Sequence, residues 1–174
     1  MSLKYASTMM IRPENHEDRN AIYALTQSAF KFMPFSNGSE APIIDQLRKD
    51  GDLALSLVAI QEQQILAHIA FSEITLNGIN AGWFGLGPVS VIPSRQKQGI
   101  GSQLINEGLS RIKQQGALGC VLIGNPSYYE RFGFQSDGKL EYHDTPLPFV
   151  QWLSFGEEKA SGVVNFAPAF EREQ

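Results

Sequence analysis

The sequence predicts an α/β chain, a mixed sheet with helices on both faces. Three observations carry this. Residues 15–30 and 39–50 place apolar side chains at helical spacing. From residue 53 to residue 92 the period changes to that of strands and turns. Residues 117–123 (A-L-G-C-V-L-I) form a continuous apolar run between helical segments, the mark of a strand covered on both sides.

Taken in order, residues 8–12 (T-M-M-I-R) make a short apolar first strand. Pro13 and Asn15 open a helix running to about Phe30, with Ala21, Ile22, Leu25, Ala29 and Phe30 on its apolar face. Residues 33–38 are turn-rich. A second helix fits residues 39–50, with Ile43, Ile44 and Leu47 on one face and Gly51 as its stop. Residues 53–60 form a buried strand, 61–64 a polar turn and 65–76 a longer strand. Asn77-Gly78 is a hairpin signal, since both residues tolerate positive φ. Residues 82–92 are the next strand. Residues 99–115 are a helix with an apolar stripe at Ile100, Leu104, Ile105, Leu109 and Ile112. A short helix at 127–132 and closing strands at 149–155 and 162–166 follow the buried run. The order β-α-α-β-β-β-α-β-α-β-β calls for a mixed sheet between helical layers.

The 174 residues, 43% of them apolar and 18% charged, fit one domain spanning 1–174. The single cysteine, Cys120, excludes an internal disulfide framework and a thiolate-based zinc cluster. It fits a reducing, cytoplasmic setting, and no metal is expected. Cys120 sits in an apolar strand and reads as packing. With 14 basic and 18 acidic residues the net charge is -4, so the basic footprint of a nucleic-acid binder is missing. No apolar run reaches the roughly 18 residues that span a membrane. Residues 1–10 lack the cationic flank and apolar stretch of a signal peptide.

The chemistry concentrates in residues 93–102, P-S-R-Q-K-Q-G-I-G-S, between a strand and a helix. Gly99 and Gly101 stand where the helix begins, and each costs about 1 kcal/mol relative to alanine inside a helix. Arg95 and Lys97 place cations at the positive end of the helix dipole, where carboxylates would be favoured. An anionic ligand reverses this reading, because bare glycines admit phosphate oxygens to the backbone amides. A plain flexible turn is the competing reading of G-x-G alone. The nucleotide pattern G-x-x-x-x-G-K-[ST] is absent, and the dinucleotide pattern G-x-G-x-x-G fails at Leu104.

The preceding strand reads W-F-G-L-G-P-V-S-V-I-P from Trp83. Pro88 cannot donate to a ladder, and Gly85 and Gly87 weaken a strand. A bulged strand that splays from its neighbour accommodates all three and frees backbone at Val89, Ser90 and Val91 for an extended ligand. An ordinary edge strand is the alternative. A third segment, N-P-S-Y-Y-E-R-F-G-F from Asn125, follows the buried strand. Tyr128 and Tyr129 are adjacent on a short helix, about 100° apart, so one packs while the other faces a site.

Together these residues resemble the GNAT family of N-acetyltransferases. Gln96 to Gly101 (Q-K-Q-G-I-G) fits its acetyl-coenzyme A signature Q/R-x-x-G-x-G/A, and the bulged strand and Y-Y-E-R-F-G-F follow in the family's order. The resemblance covers about residues 9–170, and the tail G-V-V-N-F-A-P-A-F resembles a bacterial subgroup of predicted acetyltransferases. It implies a central, mostly antiparallel sheet containing a splayed parallel pair. It implies acetyl-coenzyme A as acyl donor, with the pyrophosphate on Gln96, Lys97, Gln98, Gly99, Ile100, Gly101 and Ser102. The pantetheine arm would then lie along Val89, Ser90 and Val91, and Asn125 would reach the pantetheine or acetyl region. Arg131 and Lys97 would meet the 3′-phosphate. The Val89 amide would hold the oxyanion, a kind of contact that contributes about 3 kcal/mol. Tyr129, four residues before Gly133, matches the tyrosine that protonates the leaving thiolate. With ordinary pKa values near 8.5 and 10, that transfer is uphill by roughly 2 kcal/mol.

An alkylamine acceptor has a pKa near 10.4, so only about one part in 2,500 is neutral at pH 7 and a base or water relay is needed. Glu40, Glu73 and His68 are the candidates. Each also has a plain structural reading: a helix-start carboxylate, a solvated strand-end carboxylate and a buried histidine. The expected activity is transfer of acetyl to a small-molecule amine or a peptide acceptor by direct attack. A non-catalytic acyl-coenzyme A sensor is the alternative from another class. Residues 30–39, rich in aromatic and turn residues, are expected to shape the acceptor side. A homodimer is compatible with this reading.

Overall fold

The computed structural model describes residues 7–171; residues 1–6 and 172–174 of the expected 1–174 domain, and with them most of the segment read for a signal peptide, lie outside the described residues. The chain opens with β1 (Met10–Pro13), α1 (Arg19–Phe30) and α2 (Glu40–Asp50). The hairpin β2 (Leu53–Gln61) and β3 (Gln64–Glu73) follows, then a short β4 (Thr75–Leu76) and β5 (Trp83–Val91). α3 (Ile100–Gln114), β6 (Gly119–Ile123) and α4 (Pro126–Tyr129) complete the central part. The tail holds β7 (Leu140–Glu141), β8 (Val150–Ser154), β9 (Gly162–Asn165) and α5 (Pro168–Glu171).

Six strands form the main sheet in the order β1-β2-β3-β5-β6-β8. All neighbours are antiparallel except β5 and β6. The two faces follow from the period of two along a strand. Leu57 and Ala59 of β2 and Ile69 and Phe71 of β3 pack with Leu104, Ile105, Leu109 and Ile112 of α3. Val58, between Leu57 and Ala59, packs with Ile22 of α1 and Ile44 of α2 on the opposite face. The predicted α/β class with helices on both faces is what the chain adopts.

Several boundaries differ, for local reasons. Pro13 closes β1 and does not open a helix. A 3-10 turn at His16–Asp18 comes first, capped by the Asn15 side chain, and the Arg12 guanidinium grips Asp18 at 2.7 and 3.0 Å. The strand expected over 65–76 breaks at Ile74, which buries in a second core with Trp83, Val121, Trp152 and Val164. Beyond it β4 joins a separate three-stranded sheet, β4-β9-β7. The strand near residue 162 therefore belongs to that small sheet and not to the main one. The Asn77-Gly78 turn forms as expected, with φ of 50° and 78° and mutual bonds between Leu76 and Ile79. β7 and α5 have no periodic signal, being only two and four residues long. Trp83 and Trp152 meet edge to face and are buried in the second core.

Gly108 sets how closely α3 lies on the sheet. A β-carbon there would stand 2.6 Å from the ring of Phe71, which is wholly buried. Gly108→Ala gains about 1 kcal/mol of helix propensity. Overpacking against a ring with no room to move costs typically 1–3 kcal/mol. The expected outcome is a net loss of up to about 2 kcal/mol, read as a lower urea midpoint at unchanged slope.

Candidate functional site

The parallel pair β5–β6 is joined at one end only. Trp83, Phe84 and Gly85 pair with Gly119, Cys120 and Val121, and the pairing stops there. On its other side β5 continues along β3 to Val91. Between Phe71↔Leu86 and Ile69↔Val89, β3 advances two residues while β5 advances three, so β5 carries a bulge at Gly87-Pro88. β6 runs on with β8 alone, through Leu122↔Gln151 and Ile123↔Val150. A wedge therefore opens between residues 86–91 and residues 122–124, as the glycines and proline of this strand predict. The joined end is held shut by packing. A β-carbon on Gly119 would run into Leu153 and Trp83, and one on Gly85 would stand 2.9 Å from Phe166.

Each strand of the pair leads into a helix start at the open end. After β5, Gly99 caps α3 with φ of 84°, a left-handed conformation that favours glycine. No side chain caps α3 and no acidic residue lies in its first turn, so its leading N–H groups have no partner from the cap. A β-carbon on Gly99 would meet nothing within 4 Å. On Gly101 it would find only the Tyr128 hydroxyl and Val91 Cγ2, each at 3.5 Å. The Gln96 side chain donates to the Val91 carbonyl at 3.0 Å and pins the loop to the end of β5. Lys97 is exposed with φ of 63°. Arg95 is held elsewhere, donating to Gln98 and to Gln61. Unpaired amides, a dipole end and a free cation make this loop fit to hold an anion.

After β6, the Asn125 side chain caps α4 by accepting from Ser127 N–H at 2.9 Å. Tyr128 and Tyr129 meet edge to face, ring centroids 4.9 Å apart at 86°. Tyr128 sends its hydroxyl across to Gly101, while Arg131 lies over its ring at 4.5 Å. Tyr129 packs against Phe132 and Phe134 and on bare Gly124, where a β-carbon would stand 2.5 Å from the ring. Burial, helped by Tyr128, pushes the Tyr129 phenol up to about 12. Sequence reading missed the seat at Gly124, the Gln96 anchor and the reach of Tyr128. Gly124, placed directly after an apolar strand, was the one visible signal.

The remaining candidates separate. The Ser90 side chain is buried against α1 and donates to Thr26 Oγ1 at 3.4 Å. Glu73 accepts from Asn80 and pairs across from Phe84, at the joined end. It lies four residues along β3 from Val89's partner Ile69, about 13 Å away at strand rise. His68 is wholly buried on the α1 face with Nε2 on Ser56 at 2.8 Å, and burial, then the Arg48 charge, lowers its pKa to about 3. Glu40 begins α2, and its Oε2 is buried without a hydrogen-bond partner. Burial likewise raises the Cys120 thiol, consistent with packing. Among the described residues no helix is long and apolar enough to cross a membrane.

A family model described as an acetyltransferase (GNAT) domain matches residues 10–136. The uncharacterized N-acetyltransferase YhbS of Escherichia coli K12 is 35% identical over 128 residues, covering 73% of this chain and 74% of that one. A crystal structure of a GNAT family acetyltransferase from Brucella melitensis in complex with acetyl-CoA is 43% identical. It superposes with a TM-score of 0.85 over 94% of this chain and 99% of that chain. The crystal structure of E. coli YhbS in complex with CoA superposes with a TM-score of 0.88 at 28% identity, over 99% of this chain and 97% of that chain.

His68 makes stability depend on pH in a known direction. Its folded pKa lies below the unfolded value near 6.5, so as pH falls below 6.5 only the unfolded chain takes the proton. Each unit then removes about 1.4 kcal/mol. Denaturant titrations at pH 6 and pH 4 should show the native chain losing about 2–3 kcal/mol more than His68→Gln over that interval.

Proposed function

From a chain that belongs to the GNAT family of acetyltransferases, we infer transfer of an acetyl group from acetyl-coenzyme A to a primary amine by direct attack. One N-acetyltransferase domain, about residues 9–170, performs it. The observation that carries this reading is the one-sided wedge beside β5, ending at an uncapped helix start. The residues fit the donor. The glycine loop leaves amides bare and the space over Gly99 and Gly101 open, which suits a pyrophosphate on Gln96 to Ser102. Residues 89–91 offer backbone along the open side for the amides of a pantetheine arm. Lys97 and Arg131 are the cations available to the 3′-phosphate. The acetyl-coenzyme A-bound Brucella relative and CoA-bound YhbS support the same assignment.

The donor supplies an activated thioester. The Val89 amide polarises its carbonyl and holds the developing oxyanion, a contact of about 3 kcal/mol. Asn125 stands at the mouth of the wedge, its Oδ1 engaged in the α4 cap and its amide nitrogen free to orient the arm. Tyr129 is the general acid. Its raised pKa keeps it protonated throughout the neutral range, and full transfer to a thiolate near 8.5 is uphill by about 5 kcal/mol. Tyr129 therefore donates as the C–S bond breaks and not beforehand. His68, with its low pKa and its burial away from the wedge, is a poor base for an ammonium, and Glu73 is out of reach. The family and the wedge favour turnover over a sensor that only binds.

Thermal unfolding with acetyl-coenzyme A, coenzyme A and NAD tests the donor site. Both coenzyme A ligands should stabilise, by about 2.7 kcal/mol at a hundredfold excess over Kd, and NAD should not. Gly101→Ala should keep this response, since its β-carbon meets only ordinary contacts, whereas Gly101→Glu puts an anion in the loop and should abolish it. No response in a folded native chain overturns the reading. Tyr129→Phe should lower kcat about a hundredfold with little change in KM for the donor. Because Tyr129 stays protonated, the loss should be constant from pH 6 to pH 9; unchanged turnover across that range removes Tyr129 from the mechanism.

A further inference from the structure

A second cavity, about 560 Å³, lies between the end of α1 and the start of α2. Its wall includes Thr26, Gln27, Phe30, Lys31, Asn37 and Glu40. The volume is in the range of small-molecule sites. Hydroxyl and amide groups make up much of the lining. The inner wall touches the catalytic strand: Thr26 accepts the hydroxyl of Ser90, and Ser90 follows Val89.

Glu40 is the anomaly in this wall. Its Oε2 is buried and has no hydrogen-bond partner among the described residues. Two other carboxylates of low exposure are paired: Glu14 with Arg48 at 2.9 Å, Asp18 with Arg12 at 2.7 Å. Lys31, in the same wall, lies instead over the Phe32 ring at 5.4 Å. The start of α2 eases a negative charge through its dipole but gives Oε2 no donor. A buried carboxylate oxygen calls for a partner, and a cationic donor satisfies it best.

We propose that this cavity receives the acceptor, a small organic ammonium compound bearing hydroxyl or amide groups of its own, and that Glu40 binds its ammonium group. The proposal rests on the acetyltransferase reading above and names the substrate class for it. Glu40 acts by binding. The acceptor is thereby drawn in as the abundant cation, and its proton leaves to solvent before attack at the wedge.

The test uses tyramine and its neutral isostere tyrosol, in which a hydroxyl replaces the ammonium, on the full chain saturated with coenzyme A. At about tenfold excess over Kd, tyramine should raise Tm by about 3–5 °C and tyrosol should not. Glu40→Gln should lose the tyramine rise and keep the coenzyme A rise, which reports an intact fold and donor site. Gln27→Trp, at an exposed position on α1, fills the cavity with Glu40 in place and should also lose it. Glu17→Gln, a surface carboxylate outside the cavity, should keep it. Equal responses to tyramine and tyrosol in the native chain overturn the proposal, as does a tyramine rise that survives in Glu40→Gln or Gln27→Trp. Either result with the coenzyme A rise present leaves the acetyltransferase reading standing. Absence of the coenzyme A rise in the native chain overturns that reading and this one with it.

Discussion

Beyond Gly85, β5 keeps one hydrogen-bonding neighbour, β3, and has none where β6 turns away. Backbone groups on the open side of a strand must find partners in water or in a ligand, because a buried orphan is costly. The bulge at Gly87-Pro88 makes the parting local, and β6 keeps β8 on its other edge to Ile123. Parallel strands that diverge also carry their following helices apart. That is why the starts of α3 and α4 stand on either side of one opening.

The opening is stiff because its closed end is tightly packed. Trp83 lies on Gly119 and Phe166 on Gly85, and at the open end Tyr129 lies on Gly124. Each glycine removes a β-carbon at a place where a ring must come close. Gly108 does the same for Phe71 beneath α3, which fixes the height of the helix and so the position of its uncapped amides. The glycines of the loop are different in kind. Gly99 supplies a left-handed cap and Gly101 leaves space open, with nothing packed on either at less than ordinary contact distance.

On the other face, the layer between the sheet and α1–α2 is unexpectedly polar. Ser56 and His68 are bonded to each other, Ser90 to Thr26, and His68 Nδ1 and Ser72 Oγ are buried without partners. A neutral histidine tolerates such a place where a charged one would not. Within this layer the Ser90–Thr26 hydrogen bond links β5, which borders the donor wedge, to the wall of the cavity at Glu40.

Local sequence determined the elements whose signals are local. The helical stripe of α3, the Asn77-Gly78 turn, the apolar run of β6 and the glycine loop were all legible, because period, turn chemistry and bare amides act within a few residues. The splay of β5 was legible too, since a proline and two glycines cannot sit in a regular central strand. Tertiary structure alone decided what depends on distant partners. It broke the long strand at Ile74 to feed a second core, moved β9 into its own small sheet, and let two-residue β7 exist by pairing. It also decided which tyrosine reaches the loop and which packs among aromatic rings, and it left Glu40 with a buried, unpartnered carboxylate oxygen beside a cavity. Those outcomes rest on packing between residues far apart in the chain, and no window of sequence contains both members of such a contact.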